Sequence, residues 1–228
     1  MHFTRYAIYF TPPDGDLADL GAAWLGWDSA TGQPVRAPDL PDLPAPAHEI
    51  TGTARRYGLH ATLVAPFRLA GGRTEAALLD AFTRFCKGAD PVTLDGLEIA
   101  AMGRFLALVP EGCTGALDAL AARAVQTFGA VRAPLDAATL ARRRTASLTP
   151  DQDANLVRWG YPYVMSAFRF HITLTGKRPR SELPAIRQAI ARHLMPAVPR
   201  PFPVDALSLM GEDAQDRFHL IRRHRLCP

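Results

Sequence analysis

A four-residue string occurs twice in this chain, and its surroundings repeat with it. His60-Ala61-Thr62-Leu63 and His171-Ile172-Thr173-Leu174 share three of their four residues. Each opens a stretch that reads strand, helix, strand, strand, over residues 58–109 and again over 168–223. Similar distances separate His60 from Phe105 and His171 from Phe218. The repetition predicts two related lobes facing each other across a pseudo-twofold axis, within one domain covering residues 1–228.

Local patterns fill in the rest. Residues 5–10 read as a strand, and 16–27 as a helix with Leu17, Leu20, Ala23, Trp24 and Trp27 at helical spacing. Five prolines between 28 and 50 predict an extended surface loop. Residues 74–87 read as a helix capped by Thr74, residues 91–101 and 104–109 as strands, and 113–128 as a helix. The stretch 134–160 reads as helical or irregular, with Thr149-Pro150 able to start a new helix. Gly160-Tyr161-Pro162-Tyr163 is a turn. A strand over 168–175, a helix over 181–193 capped by Ser181, and strands over 202–210 and 217–223 complete the second repeat. An apolar share of 48% is enough for a buried core.

Alternation along a strand puts His60 and Thr62 on one face and His171 and Thr173 on another, with apolar residues behind them. If the lobes face each other, both pairs line one cleft. Imidazole titrates near neutrality, so one histidine can accept a proton while the other donates one. The threonine hydroxyls can hold nonbridging phosphate oxygens. This chemistry suits a phosphodiester and requires no metal or other cofactor.

The doubled string resembles the 2H phosphoesterase superfamily. Longer segments, Arg55 to Phe67, Trp159 to Val164 and Phe168 to Gly176, resemble one bacterial branch described as phosphonate-metabolism proteins. The resemblance implies a bilobal α+β fold, with antiparallel sheets flanked by helices around a central cleft, and a cyclic phosphodiesterase-like hydrolase. It also implies that His60 donates and His171 accepts the proton, an order the residues themselves leave open. The expected partner is a small-molecule phosphate ester or an RNA terminus. Two other readings stay open: a non-catalytic module that binds a nucleotide or RNA end, and a 2′-5′ RNA ligase-like activity.

Further candidates each have two readings. Arg169 falls on the His171 face by alternation, as a substrate contact or a surface ion pair. Tyr57 supports the site or packs beside it. Tyr161 and Tyr163 form a lid over a base or sugar, or only a rigid turn. Arg142 to Arg144 attract a phosphate or are a solvated helix face. His219 lacks the His-x-Thr pattern and reads as structural. No HExxH, Walker or GxSxG string is present. A net charge of +4 fits an anionic ligand without demanding a duplex. Three scattered cysteines, no signal-like start and no long apolar run are consistent with a cytoplasmic protein that does not enter a membrane.

Overall fold

Tyr, Ile and Phe draw the first segment into a strand, β1 (Arg5–Phe10), which lies inside the largest sheet and is buried on both faces. The computed structural model describes residues 2–144 and 147–228. After β1 come α1 (Asp16–Leu25), α2 (Ala47–Ile50), β2 (Ala61–Phe67), α3 (Glu75–Lys87), β3 (Val92–Leu94), β4 (Gly96–Met102) and β5 (Phe105–Glu111). Helices α4 (Gly115–Gly129), α5 (Ala137–Arg144) and α6 (Pro150–Trp159) separate the repeats. The second repeat holds β6 (Ile172–Thr173), α7 (Leu183–Leu194), β7 (Phe202–Val204), β8 (Ala206–Glu212) and β9 (Phe218–Arg225).

Seven strands form one antiparallel sheet in the order β4-β5-β6-β2-β1-β8-β9, and β3 pairs separately with β7. The repeats exchange their hairpins. β4–β5 of the first joins β6 of the second, while β8–β9 of the second reaches β2 through β1. Their helices cross over too: α3 rests on β8 and β9, and α7 on β4 and β5. At the seam, β2 and β6 share one residue pair, Ala61↔Ile172. Both residues are fully buried. Alternation from that pair turns Thr62, Thr173 and their histidines to the opposite face.

The main core runs beneath the sheet, with Tyr6, Ile8 and Phe10 of β1 packed among Phe82, Phe128 and Phe202. Ala7 and Tyr9 point the other way, into a small cluster with Met210 and Phe218. Trp24 of α1 is buried, and its indole N–H donates to the Leu174 carbonyl at 2.7 Å. A buried indole needs such an acceptor, so this bond fixes α1 over the end of β6. Among the described residues, no helix is long and apolar enough to cross a membrane.

Several expected boundaries move. The strand expected over 168–175 shrinks to β6, because Leu174 and Thr175 both donate to the Leu106 carbonyl, at 2.9 and 3.3 Å. Two residues opposite one acceptor make a bulge that ends regular pairing. Helix α7 starts at Leu183 behind Glu182 with no side-chain cap, so Ser181 does not cap it. The carboxylate of Glu182 is bound instead by Arg178. The strand expected over 202–210 breaks at Asp205, whose carbonyl accepts from Leu226. Helix α1 stops at Leu25, where Gly26 turns left-handed, and the proline-rich loop contains the short α2. The stretch 134–160 holds two helices, α5 and α6; Thr145 and Ala146 between them lie outside the described residues.

Candidate functional site

His60 stands one residue before β2, at the end of a turn that only glycine permits. Gly58 has φ 70°, and a Cβ on it would meet the Ser29 hydroxyl at 2.7 Å. The turn aims the Gly58 carbonyl at His60 Nδ1, 3.0 Å away. His171 repeats the arrangement, with its Nδ1 2.8 Å from the Arg169 carbonyl. A carbonyl only accepts, so in each neutral ring Nδ1 carries the hydrogen. Nε2 of each ring is left for a ligand.

Both histidines line one cavity of about 410 Å³, together with Thr62 and Thr173. That volume suits a sugar phosphate or a mononucleotide. Thr62 lies opposite Tyr9 in the β1–β2 ladder. Burial depresses the His60 pKa to about 4, against a smaller upward pull from the Gly58 hydrogen bond; the neighbouring His171 adds the least, a further downward push. His60 is therefore neutral at pH 7 in the ligand-free protein.

The aromatic candidates divide. Tyr57 lines the cavity, with its ring 5.3 Å from His60 and stacked on Phe218 at 5.0 Å. Tyr161 also lines it, and burial raises its pKa, keeping the phenol protonated. Tyr163 is 46% exposed and meets Tyr161 edge-on at 5.6 Å without entering the cavity wall. Arg169 does not reach the cavity. Residue 169 keeps the exposed parity of His171, but its guanidinium folds back onto the carbonyls of Ser166 and Phe168, ahead of the short β6. The backbone of Arg169 serves the site through His171. His219, paired with Asp213 at 2.7 Å, stands apart from this cavity.

Several residues of the wall had no counterpart among the sequence candidates, and two of them carry a charge or a phenol. Arg5 and Tyr9 both come from β1. The Tyr9 ring lies 4.2 Å from His60, centroid to centroid. Its hydroxyl is buried without a hydrogen-bond partner among the described residues. Burial lifts its pKa well above the usual phenol value, so it remains a donor. An unpaired buried hydroxyl costs about 1–3 kcal/mol, a cost that a phosphate oxygen in the cavity would relieve. Arg5 forms an ion pair with the buried Glu212. Arg143, one of the three consecutive arginines, also reaches the wall, as does Arg56.

Residues 62–219 match a family model described as a protein of unknown function (DUF1045). The chain belongs to this family. The DUF1045 match begins just after His60 and includes Thr62, His171 and Thr173. A protein of Janthinobacterium sp. (strain Marseille), named ribose 1,5-bisphosphate phosphokinase PhnN, is 41% identical over 216 residues, 92% of this chain and 48% of its own length. One of Laribacter hongkongensis (strain HLHK9) with the same name is 35% identical over 227 residues, 96% of this chain and 51% of its own. The DUF1045 chain thus spans about half the length of these relatives. Among solved structures, E. coli LigT in its apo form aligns over all of both chains at 17% identity and a TM-score of 0.44. A structure described as TT0787 of Thermus thermophilus aligns over 97% of both at 17% identity and a TM-score of 0.39. Both His-x-Thr pairs line one cavity.

Proposed function

We propose that this DUF1045 protein is a phosphodiesterase that opens a cyclic phosphate, or cleaves a phosphodiester, on a ribose-containing molecule. The observation that carries the reading is the matched pair of imidazoles, each with Nδ1 held by a backbone carbonyl and Nε2 free in the same cavity. Binding alone needs no such pair. In hydrolysis, one Nε2 takes a proton from water as its oxygen bonds to phosphorus. The other gives a proton to the ester oxygen whose bond to phosphorus breaks. Thr62, Thr173 and Tyr9 donate to the nonbridging oxygens. The reaction needs no metal for its proton transfers.

Burial leaves His60 neutral in the free protein, which makes it the ready acceptor. This reverses the order that the 2H resemblance implies; His60 acts as donor only if the bound phosphate raises its pKa again. Ribose phosphate is favoured as the substrate class by the name of the relatives. The present chain has no GxxxxGK[ST] phosphate loop, so we place their phosphokinase activity in the half this chain does not match. The present half then acts on a neighbouring ribose phosphate in the same metabolism.

The test is turnover of nucleoside 2′,3′-cyclic phosphates and ribose 1,2-cyclic phosphates in excess EDTA. His60→Ala and His171→Ala should each cost about 10²–10⁴ in kcat. The acid limb of kcat/KM should lie near the His60 value of about 4; a limb in the ordinary imidazole range reverses the donor and acceptor. Activity that chelation abolishes, or that survives both substitutions, rules the mechanism out. Tight binding with no turnover favours a binding module.

A further inference from the structure

Beside the histidine cavity lies a second one, also of about 410 Å³, and the two share Arg5, Ala65, Pro66, Arg143 and Tyr161 in their walls. Two guanidiniums converge in it on Gly160. Arg143 Nη1 donates to the Gly160 carbonyl. Arg132 Nη1 lies where a Cβ on Gly160 would sit only 2.5 Å away. Gly160 caps α6 with φ 76°, so backbone conformation and the close guanidinium both call for glycine there.

The carboxylates around this cavity are engaged or turned outward. Glu212 is paired with Arg5, and Asp213 with His219. Asp136 accepts from the backbone and hydroxyl of Thr139, at 2.7 and 3.0 Å, and Asp216 is exposed. Among the described residues, neither Arg132 nor Arg143 has a carboxylate partner. Arg132 has only the carbonyls of Ala133 and Arg158, and its buried Nε has no acceptor. Both side chains are half-buried. Burial lowers the pKa of each guanidinium; Arg143 adds to the effect on Arg132, while on Arg143 an upward pull from Tyr161 is opposed by Arg5 and Arg142. Adjacent, partly desolvated positive charges without a counterion are unfavourable, and a phosphate is an anion whose oxygens match guanidinium N–H pairs.

We propose that the arginine-lined cavity is a second anion subsite, taking a terminal phosphate monoester on the same molecule whose phosphodiester lies between the histidines. The cavities adjoin at Arg143 and Tyr161, so in this assignment one small molecule reaches past these two side chains into both. The substrate class narrows accordingly to ribose compounds with one phosphate in diester or cyclic form and a second as a monoester. Only the diester half of this assignment rests on the phosphodiesterase reading.

Each cyclic phosphate of the panel is assayed with and without a 5-phosphate (5′ in the nucleosides), in wild type, Arg143→Gln and Arg132→Gln. Charge-assisted hydrogen bonds of the expected kind are worth a preference of about 10- to 100-fold. The ratio of kcat/KM, phosphorylated over unphosphorylated, should be of that order in wild type for at least one sugar. Arg143→Gln should bring it to within about threefold of one, a change that a general loss of activity does not produce. Arg132 holds two backbone carbonyls, so Arg143→Gln decides the matter if Arg132→Gln does not fold. The same ratio is read as Kd by calorimetry in a His60→Ala/His171→Ala protein. Should no compound turn over, the phosphodiesterase reading fails, and the Kd ratio still decides the subsite. A ratio near one for every wild-type pair, or a ratio that survives Arg143→Gln, overturns it.

Discussion

Tyr9 brings a polar group to the cavity wall at a cost to the fold. Its hydroxyl is buried with no partner among the described residues, and its ring lies 4.2 Å from that of His60. Tyr9→Phe removes an unsatisfied group and leaves the ring packing in place. Thermal stability should therefore hold or rise by about 1 kcal/mol, while kcat/KM falls roughly tenfold or more. A loss of stability together with unchanged turnover would make Tyr9 a packing residue. His60 carries a second cost. Its pKa is about 4 in the folded protein against an ordinary value of 6.5, so the unfolded chain binds the extra proton more readily. The contribution of neutral His60 to stability is complete above pH 6.5 and is lost as the pH falls toward 4, on the order of 1–3 kcal/mol. Between these pH values, the Tm of His60→Gln should fall less steeply than that of wild type; parallel curves would contradict the shift. His60, Thr62, His171 and Thr173 were legible from the doubled string alone. Arg5 and Tyr9 were not, because every residue of β1 after Arg5 is buried. A strand covered on both faces has no alternation to show which side meets the cavity.

Elements with local signals were the readable ones. Thr74 accepts from the Ala77 backbone at 3.2 Å, as its place before α3 predicts. Thr149 opens α6 with a full capping box, Thr149 Oγ accepting from Gln152 N and Gln152 Oε1 from Thr149 N. Thr149→Ala should lower stability by about 1 kcal/mol, measurable as a shift in denaturation midpoint at unchanged slope. The cap acts on the first turn of α6, at the end away from Gly160 and Tyr161, so KM should stay unmoved; a raised KM would show that the whole helix positions Tyr161. Strand β6 was misread for a physical reason. Phe168, Phe170, Ile172 and Leu174 alternate as a long strand would, and all four are buried. Their burial comes from packing, however, while pairing in β6 is confined to Ile172–Thr173. Hydrophobic period reports the buried face and does not report hydrogen-bond partners, so the place of Arg169 could not be read from it.

The repeat predicted two related lobes, and an order of elements does recur, with one strand more per copy than read because residues 91–101 break at Asp95 as 202–210 break at Asp205, but nothing in either copy shows that their hairpins change places. That exchange depends on pairing between residues far apart in the chain, such as Leu108 with Ile172 and Tyr6 with Gly211, where one-dimensional pattern carries no signal. It bears on how the molecule comes apart. Two lobes joined only by the Ala61↔Ile172 pair would hinge or melt separately. Here β4–β5 and α3 each lie in the half built around the other repeat's strands, and Val92–Leu94 pairs with Phe202–Val204 at the crossing. Neither repeat can leave without exposing the other's core, including Phe82 of α3, which is fully buried. Urea unfolding should therefore be one cooperative transition, with far-ultraviolet circular dichroism and tryptophan fluorescence coincident. The fluorescence is informative because Trp24 and Trp27 both lie in or beside α1, bonded to the Leu174 and Phe218 carbonyls near opposite sheet halves. Phe82→Ala should shift both probes together by about 3–5 kcal/mol. Two resolved transitions, or a shift in one probe alone, would show that the repeats fold independently and that the histidines are joined across a hinge, not fixed in one rigid sheet.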